Sequence, residues 1–103
     1  MPGTSVLPHL DRPAAESLVR RSLAEVGREW GRPEFETVDA GLDIFEVIDS
    51  FAVVELLLQT EADLEAAIGR YVPLADEMVL DAEKSPLRSL DRWVDHVAAA
   101  ANG

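Results

Sequence analysis

Apolar side chains recur at three- and four-residue spacing in three separate stretches of this chain, and that spacing constrains the fold most. The stretches follow Pro13, Ser50 and Pro86. Such a repeat places its members on one face of an α-helix, whereas a half-buried strand needs strict alternation. We therefore predict an all-α fold whose helices share one core, formed by Leu18, Leu23, Val26, Phe45, Leu56, Leu57, Leu64, Leu90 and Val94.

Proline and glycine mark the predicted limits of the domain. Residues 1–12 contain two prolines and a glycine, which is typical of a flexible N-terminal leader. Pro13 suits the first turn of a helix, and the apolar stripe behind it stops before Gly31. We predict one domain over residues 13–103, a small four-helix bundle with three main helices and one short helix.

The later helices are predicted from the same signals. One helix runs from Ser50 to about residue 65, a short helix lies within residues 74–82, and the last helix begins after Ser85. The connection over residues 31–48 is long but rich in apolar residues, so we expect it to pack across the core. Four further side chains are expected to face the core or to lie at its edge: Trp30, Met78, Val79 and Trp93.

The chain of 103 residues is acidic, with a formal net charge of −11. This charge disfavours binding to nucleic acid and docking on anionic membranes, because both attract Lys and Arg. Residues 34–103 carry sixteen of the twenty Asp and Glu residues but four of the nine Lys and Arg residues. We therefore expect a protein partner to present a basic patch to this part of the chain.

Several classes of chemistry are disfavoured by composition. The sequence contains no cysteine, which excludes disulfides, thiolate metal ligands and a cysteine nucleophile. His9 and His96 lack the paired spacing of a metal site, and no Ser-His-Asp set is recognisable. No apolar run approaches the roughly 20 residues that cross a bilayer. Residues 1–10 also lack the features of a signal peptide, so we expect a cytoplasmic protein.

The tripeptide Asp49-Ser50-Phe51 gives the most specific functional signal. It stands where a loop meets the predicted second helix, so we expect the serine hydroxyl beside free backbone N–H groups and a positive helix end. A phosphoryl group esterified to that hydroxyl would lie in a favourable field. An ordinary helix-capping role for Ser50 is the alternative.

The residues around this tripeptide carry a family resemblance. Asp49-Ser50-Phe51 is followed by Val54-Glu55-Leu56, and Leu64 and Ile68 stand four apart where the predicted helix ends. On an acidic helical chain of this length, the pattern resembles the acyl carrier protein family, including the peptidyl and D-alanyl carrier proteins. The resemblance covers about residues 14–97.

The resemblance implies that Ser50 is the attachment site of 4′-phosphopantetheine. Asp49 would help to position the site for a phosphopantetheinyl transferase and its magnesium ion. The implied protein is a monomeric acyl carrier that holds an acyl or aminoacyl group as a thioester on this arm. A loading ligase or transferase supplies the group, and biosynthetic enzymes with basic docking patches receive it.

The sequence also departs from the family pattern. Val47 stands where a glycine is common, Ala52 stands where an acid is frequent, and the segment over residues 69–85 is longer than in typical fatty-acid carriers. These departures favour a free-standing carrier in specialised metabolism, such as polyketide or non-ribosomal peptide biosynthesis.

Phe51, Val54 and Leu58 share one face of the predicted second helix, because they are spaced three and four residues apart. The resemblance implies that this face docks the transferase and the loading enzymes. Glu55 and Glu61 are expected to flank it and to steer a basic partner. The alternative function is an acidic helical adaptor that uses the same face and carries no prosthetic group.

Overall fold

The computed structural model describes residues 10–48, 50–81 and 83–102, and for Ser50 the description covers the backbone alone. Two 3-10 turns, Pro33–Glu36 and Pro86–Arg88, accompany the α-helices. No strand occurs within these ranges, which confirms the all-α prediction. The α-helices are α1 (Arg12–Glu29), α2 (Ile44–Val47), α3 (Ser50–Ile68), α4 (Glu77–Leu80) and α5 (Leu90–Asn102).

The three long helices are the three that the apolar spacing predicts, and two short helices accompany them instead of one. The unpredicted helix, α2, forms because the carboxylate of Asp43 accepts the N–H of Phe45 at 3.0 Å. The predicted short helix is a single turn, α4. Its cap is Asp76, whose carboxylate accepts the N–H of Val79 at 2.8 Å.

A glycine turn ends α1 and folds the chain back onto it. Gly31 has a φ of +71°, a conformation that residues with a Cβ rarely adopt. The reversal lets the N–H of Arg32 donate to the carbonyl of Gly27 at 2.6 Å. A Cβ added to Gly27 would lie 2.8 Å from the Cβ of Phe35, so this glycine allows the Pro33–Glu36 turn to pack closely on α1.

The fold begins before the predicted domain boundary. Leu10 is buried, and its backbone N–H and carbonyl both bond to the side chain of Asn102 at 2.9 Å. Asp11 caps α1, which starts at Arg12. These residues therefore belong to the packed domain, although the sequence assigns residues 1–12 to a leader. The rest of the predicted leader lies outside the described residues.

The connection between α1 and α3 packs across the core, as predicted. Phe35, Ile44 and Ile48 are buried within it. Two of its backbone carbonyl groups also accept hydrogen bonds from the start of α5. Their donors are the N–H groups of Leu90 and Asp91, at 2.8 and 2.7 Å. The apolar residues of this connection are therefore part of the bundle.

One apolar core joins α1, α3 and α5, and the predicted core residues are buried except Phe45, which is half-buried. Trp93 and Val79 are buried as predicted, but Trp30 and Met78 are exposed. Met78 and Val79 are neighbours on a one-turn helix, about 100° apart, and this short helix turns Val79 toward the core and Met78 toward solvent. Trp30 lies just beyond α1, at its C-cap.

A polar contact joins α1 to α3 beside the core. Ser22 is buried and donates to the carboxylate of Asp63 at 2.6 Å, and Gln59 donates to the other oxygen of that carboxylate at 3.2 Å. Across the part of the chain that the structure describes, no helix combines the length and the hydropathy needed to cross a membrane.

Leu57→Ala should lower the free energy of unfolding by about 2–5 kcal/mol, because it removes methyl groups from a closely packed core. Leu57 is 2% exposed, whereas its neighbour Leu58 is 61% exposed. Leu58→Ala is therefore the matched control and should change stability by about 0.5 kcal/mol or less. Chemical denaturation followed by circular dichroism measures both. Equal stability of the two variants would mean that the faces of α3 are assigned wrongly.

Candidate functional site

The candidate site begins at the first residue of α3. Ser50 opens this 19-residue helix, and no acidic residue occurs in its first turn. The N-terminal N–H groups of a long helix carry partial positive charge, and here no first-turn carboxylate offsets it. Asp49 and the Ser50 side chain lie outside the described part of the chain, so their predicted roles are not tested.

A continuous apolar face follows Ser50 along α3. Phe51 is 77% exposed, Val54 is 50% exposed and Leu58 is 61% exposed. The opposite side of the helix is buried and supplies Ala52, Val53, Leu56, Leu57 and Leu64 to the core. The three predicted docking residues are therefore surface residues, and the core of the domain is complete without them. We call them the exposed face of α3.

Glu55 lies beside this face and connects it to α1. The indole N–H of Trp30 donates to a carboxylate oxygen of Glu55 at 3.2 Å. A hydrogen bond with Glu55 raises the pKa of Glu29 above its ordinary value, and repulsion by the charges of Glu55 and Glu25 adds to the effect. Because folding raises this pKa, the contribution of Glu29 to the free energy of unfolding falls as the pH rises through the pKa. The site thus includes Glu29, the last residue of α1, and Trp30, its C-cap, neither of which the sequence spacing indicated.

A groove separates α1 from α3 at this point. It has a volume of about 290 Å³ and is lined by Val26, Glu29, Glu55, Leu58, Gln59 and Ala62. Leu58 belongs to both the groove and the exposed face of α3. A partner that covers this face therefore also covers the groove.

A smaller cavity of about 70 Å³ lies near the start of α3. Its lining combines the last turn of α1 and the Pro33–Glu36 turn with Ile48 and Ala52, which flank the start of α3. The guanidinium of Arg32 lies 4.9 Å above the ring of Phe35 at this cavity and also pairs with Glu34 at 2.6 Å.

The prediction that Glu61 flanks the exposed face of α3 is wrong. It is 6% exposed, and one carboxylate oxygen accepts the N–H groups of Leu74 and Ala75 at 2.6 and 3.2 Å. The other oxygen accepts the hydroxyl of Tyr71 at 3.1 Å, and this bond raises the pKa of Tyr71. Glu61 therefore anchors the segment between α3 and α4 and is not available to a partner.

The described residues contain no group of three or more His, Asp or Glu side chains that could hold a metal ion. The carboxylates of Glu61 and Asp63 already accept the hydrogen bonds described above. His96 stacks on Trp93, with ring centroids 5.4 Å apart, and His9 lies outside the described ranges. No protein-family model, curated protein or solved structure matches the chain.

Glu61→Ala should destabilise the protein, because it leaves the buried N–H of Leu74 without its acceptor. Each donor left unsatisfied costs about 1–3 kcal/mol. Glu65→Ala, at an exposed position one turn later, is the matched control and should change stability little. Thermal unfolding measures the difference, and amide hydrogen exchange should show faster exchange in residues 71–76 of the Glu61 variant. Similar unfolding of both variants would contradict the anchoring role.

Proposed function

We propose that this chain is a free-standing acyl carrier protein with a bundle of the acyl-carrier type. Ser50 would carry 4′-phosphopantetheine, and Asp49 would help to position it for a phosphopantetheinyl transferase. The observation that supports this most is the position of Ser50 as the first residue of α3, directly before the exposed Phe51 and one turn before Val54. The modification position and the docking face thus adjoin.

The start of α3 is chemically suited to a phosphodiester. Its first turn contains no acidic residue, and the N-terminal end of a 19-residue helix carries a partial positive charge that favours an anion. Ala52 is buried where the resembling family often has an acid, which keeps this first turn uncharged. The residue of this chain that would hold the group is Ser50, through its hydroxyl.

The arm would supply a terminal thiol, which holds an acyl or aminoacyl group as a thioester. Because the sequence contains no cysteine, no thiol of the chain itself would compete for that group. The chain would therefore act as a carrier and not as a catalyst. Specialised biosynthesis of polyketide or non-ribosomal peptide type is the pathway class that we propose.

The exposed face of α3 would dock the transferase and the loading enzymes. A net charge of −11 would attract enzymes with a basic docking patch and raise their association rate. Glu55 is exposed next to Val54 and Leu58 and would contribute to this steering. An adaptor without a prosthetic group would use the same exposed face, so modification of Ser50 is what separates the two functions.

Ser50→Ala should abolish modification. In the expected reaction, Ser50 Oγ forms a bond to the β-phosphorus of coenzyme A, 3′,5′-ADP leaves, and the hydroxyl proton passes to a base of the transferase. Incubation with coenzyme A, Mg²⁺ and a broad-specificity phosphopantetheinyl transferase should add one phosphopantetheine mass to the natural chain. Ser17→Ala, at an exposed position of α1, is the control and should be modified normally. An unmodified natural chain would favour the adaptor.

Val54→Asp and Glu55→Lys should impair docking in different ways. Val54→Asp places a charge in the apolar contact and should raise the KM of modification at every salt concentration. Glu55→Lys should slow association mainly at low salt, because attraction between exposed charges is screened over about 10 Å at 0.1 M salt. Initial rates from 20 to 500 mM NaCl measure both effects. Normal modification of a folded Val54→Asp variant would place the docking face elsewhere.

A further inference from the structure

The groove between α1 and α3 contains two carboxylates that face each other without a cation. Glu29 comes from the last turn of α1, and Glu55 comes from the second turn of α3. Among the residues that the structure describes, neither carboxylate forms an ion pair within 4.0 Å, although the neighbouring acid Glu25 pairs with Arg28 at 3.0 Å. Glu29 and Glu55 also share a hydrogen bond, and the pair keeps a net negative charge that no cationic side chain of the described residues neutralises.

The groove is also large enough for a side chain. Its volume of about 290 Å³ far exceeds the roughly 10–15 Å³ that a single water molecule requires. Val26, Leu58 and Ala62 supply an apolar lining, and Glu29, Glu55 and Gln59 supply the polar one. A long side chain with an aliphatic stem and a cationic end matches both parts of this lining.

Two other occupants fit less well. Ca²⁺ takes six to eight oxygen ligands, and the described residues provide no cluster of three acidic or histidine side chains. A second copy of this chain would bring another net charge of −11 to an already acidic surface, so repulsion opposes that contact. Charge complementarity favours a basic protein.

We propose that the groove between α1 and α3 is a recognition site for one arginine side chain of the enzymes that dock on the exposed face of α3. This inference rests on the proposed carrier function for the identity of those enzymes. The planar guanidinium has donors on more than one edge and can bond to Glu29 and Glu55 together, which a compact ammonium does less well. Recognition thus extends from α3 to the end of α1.

The indole of Trp30 provides a local probe of this site. Its N–H donates to Glu55, so a guanidinium that bonds to the same carboxylate changes the environment of that proton. Trp93 is fully buried and serves as the internal reference. Addition of ethylguanidinium to the ¹⁵N-labelled protein should shift the Trp30 indole signal in the millimolar range and leave the Trp93 signal in place. Glu29→Gln should reduce the Trp30 shift at least threefold.

A second measurement tests whether docking enzymes use the groove. Glu29→Gln should raise the KM of the phosphopantetheinyl transferase about tenfold with little change in kcat, because the groove contributes to docking and not to the reaction. Glu83→Gln removes the same charge at an exposed position before α5 and is the matched control. It should change KM less than twofold.

The outcomes separate this inference from the carrier function. A Trp30 shift that persists in Glu29→Gln, or equal KM values for the Glu29 and Glu83 variants, would overturn the arginine site while modification of Ser50 still supports the carrier. A larger shift with CaCl₂ than with ethylguanidinium would overturn it in favour of a metal ion. A shift produced by raising the protein concentration alone would overturn it in favour of a second copy. Failure of the natural chain to gain mass would contradict the carrier function, and the proposed docking enzymes would no longer be the source of the arginine. The ethylguanidinium result would still decide whether the groove binds a guanidinium.

Discussion

The packing of α1 against α3 determines where every residue of the candidate site lies. Apolar side chains from both helices form the centre of the contact, and the bond between Ser22 and Asp63 at 2.6 Å fixes their relative position at its side. Because α3 must bury Leu56, Leu57 and Leu64 here, its opposite side cannot also be covered by α1. The exposed face and the groove therefore both follow from one helix pairing.

The buried carboxylate of Glu61 imposes a second constraint, on the segment that leaves α3. A charged group with 6% exposure requires several donors, and this segment supplies two backbone N–H groups and the Tyr71 hydroxyl. The requirement directs the chain back along α3 before α4 begins. One side chain of α3 thus determines the path of the segment between α3 and α4.

Helical spacing was enough to predict the three long helices, their buried faces and the common face of Phe51, Val54 and Leu58, whereas the use of that face as an exposed docking surface was implied by the family resemblance. It was not enough for Glu61, because position 61 follows position 54 by seven residues and position 58 by three, a spacing that predicts a place on their face of the helix. Its burial depends on donors ten or more residues away, which no local pattern reveals. The contact of Trp30 with Glu55 joins residues 25 positions apart and was missed for the same reason. The proposed role of Ser50 comes from a family resemblance, since the spacing alone also fits a helix cap.

The bonds between Leu10 and Asn102 bring the beginning and the end of the described fold side by side. The helices could therefore keep their arrangement in space if they followed one another in a different order along the chain. A short linker across this clasp, with new ends opened at the exposed Gly41, would keep α1 packed against α3 and α5 while moving the chain ends to the loop before α2. The carbonyls of Ala40 and Leu42, which bond to the start of α5, would then lie beside the new chain ends. In such a permuted chain α5 would precede α1, and the start of α3 would lie only a few residues after the new first residue.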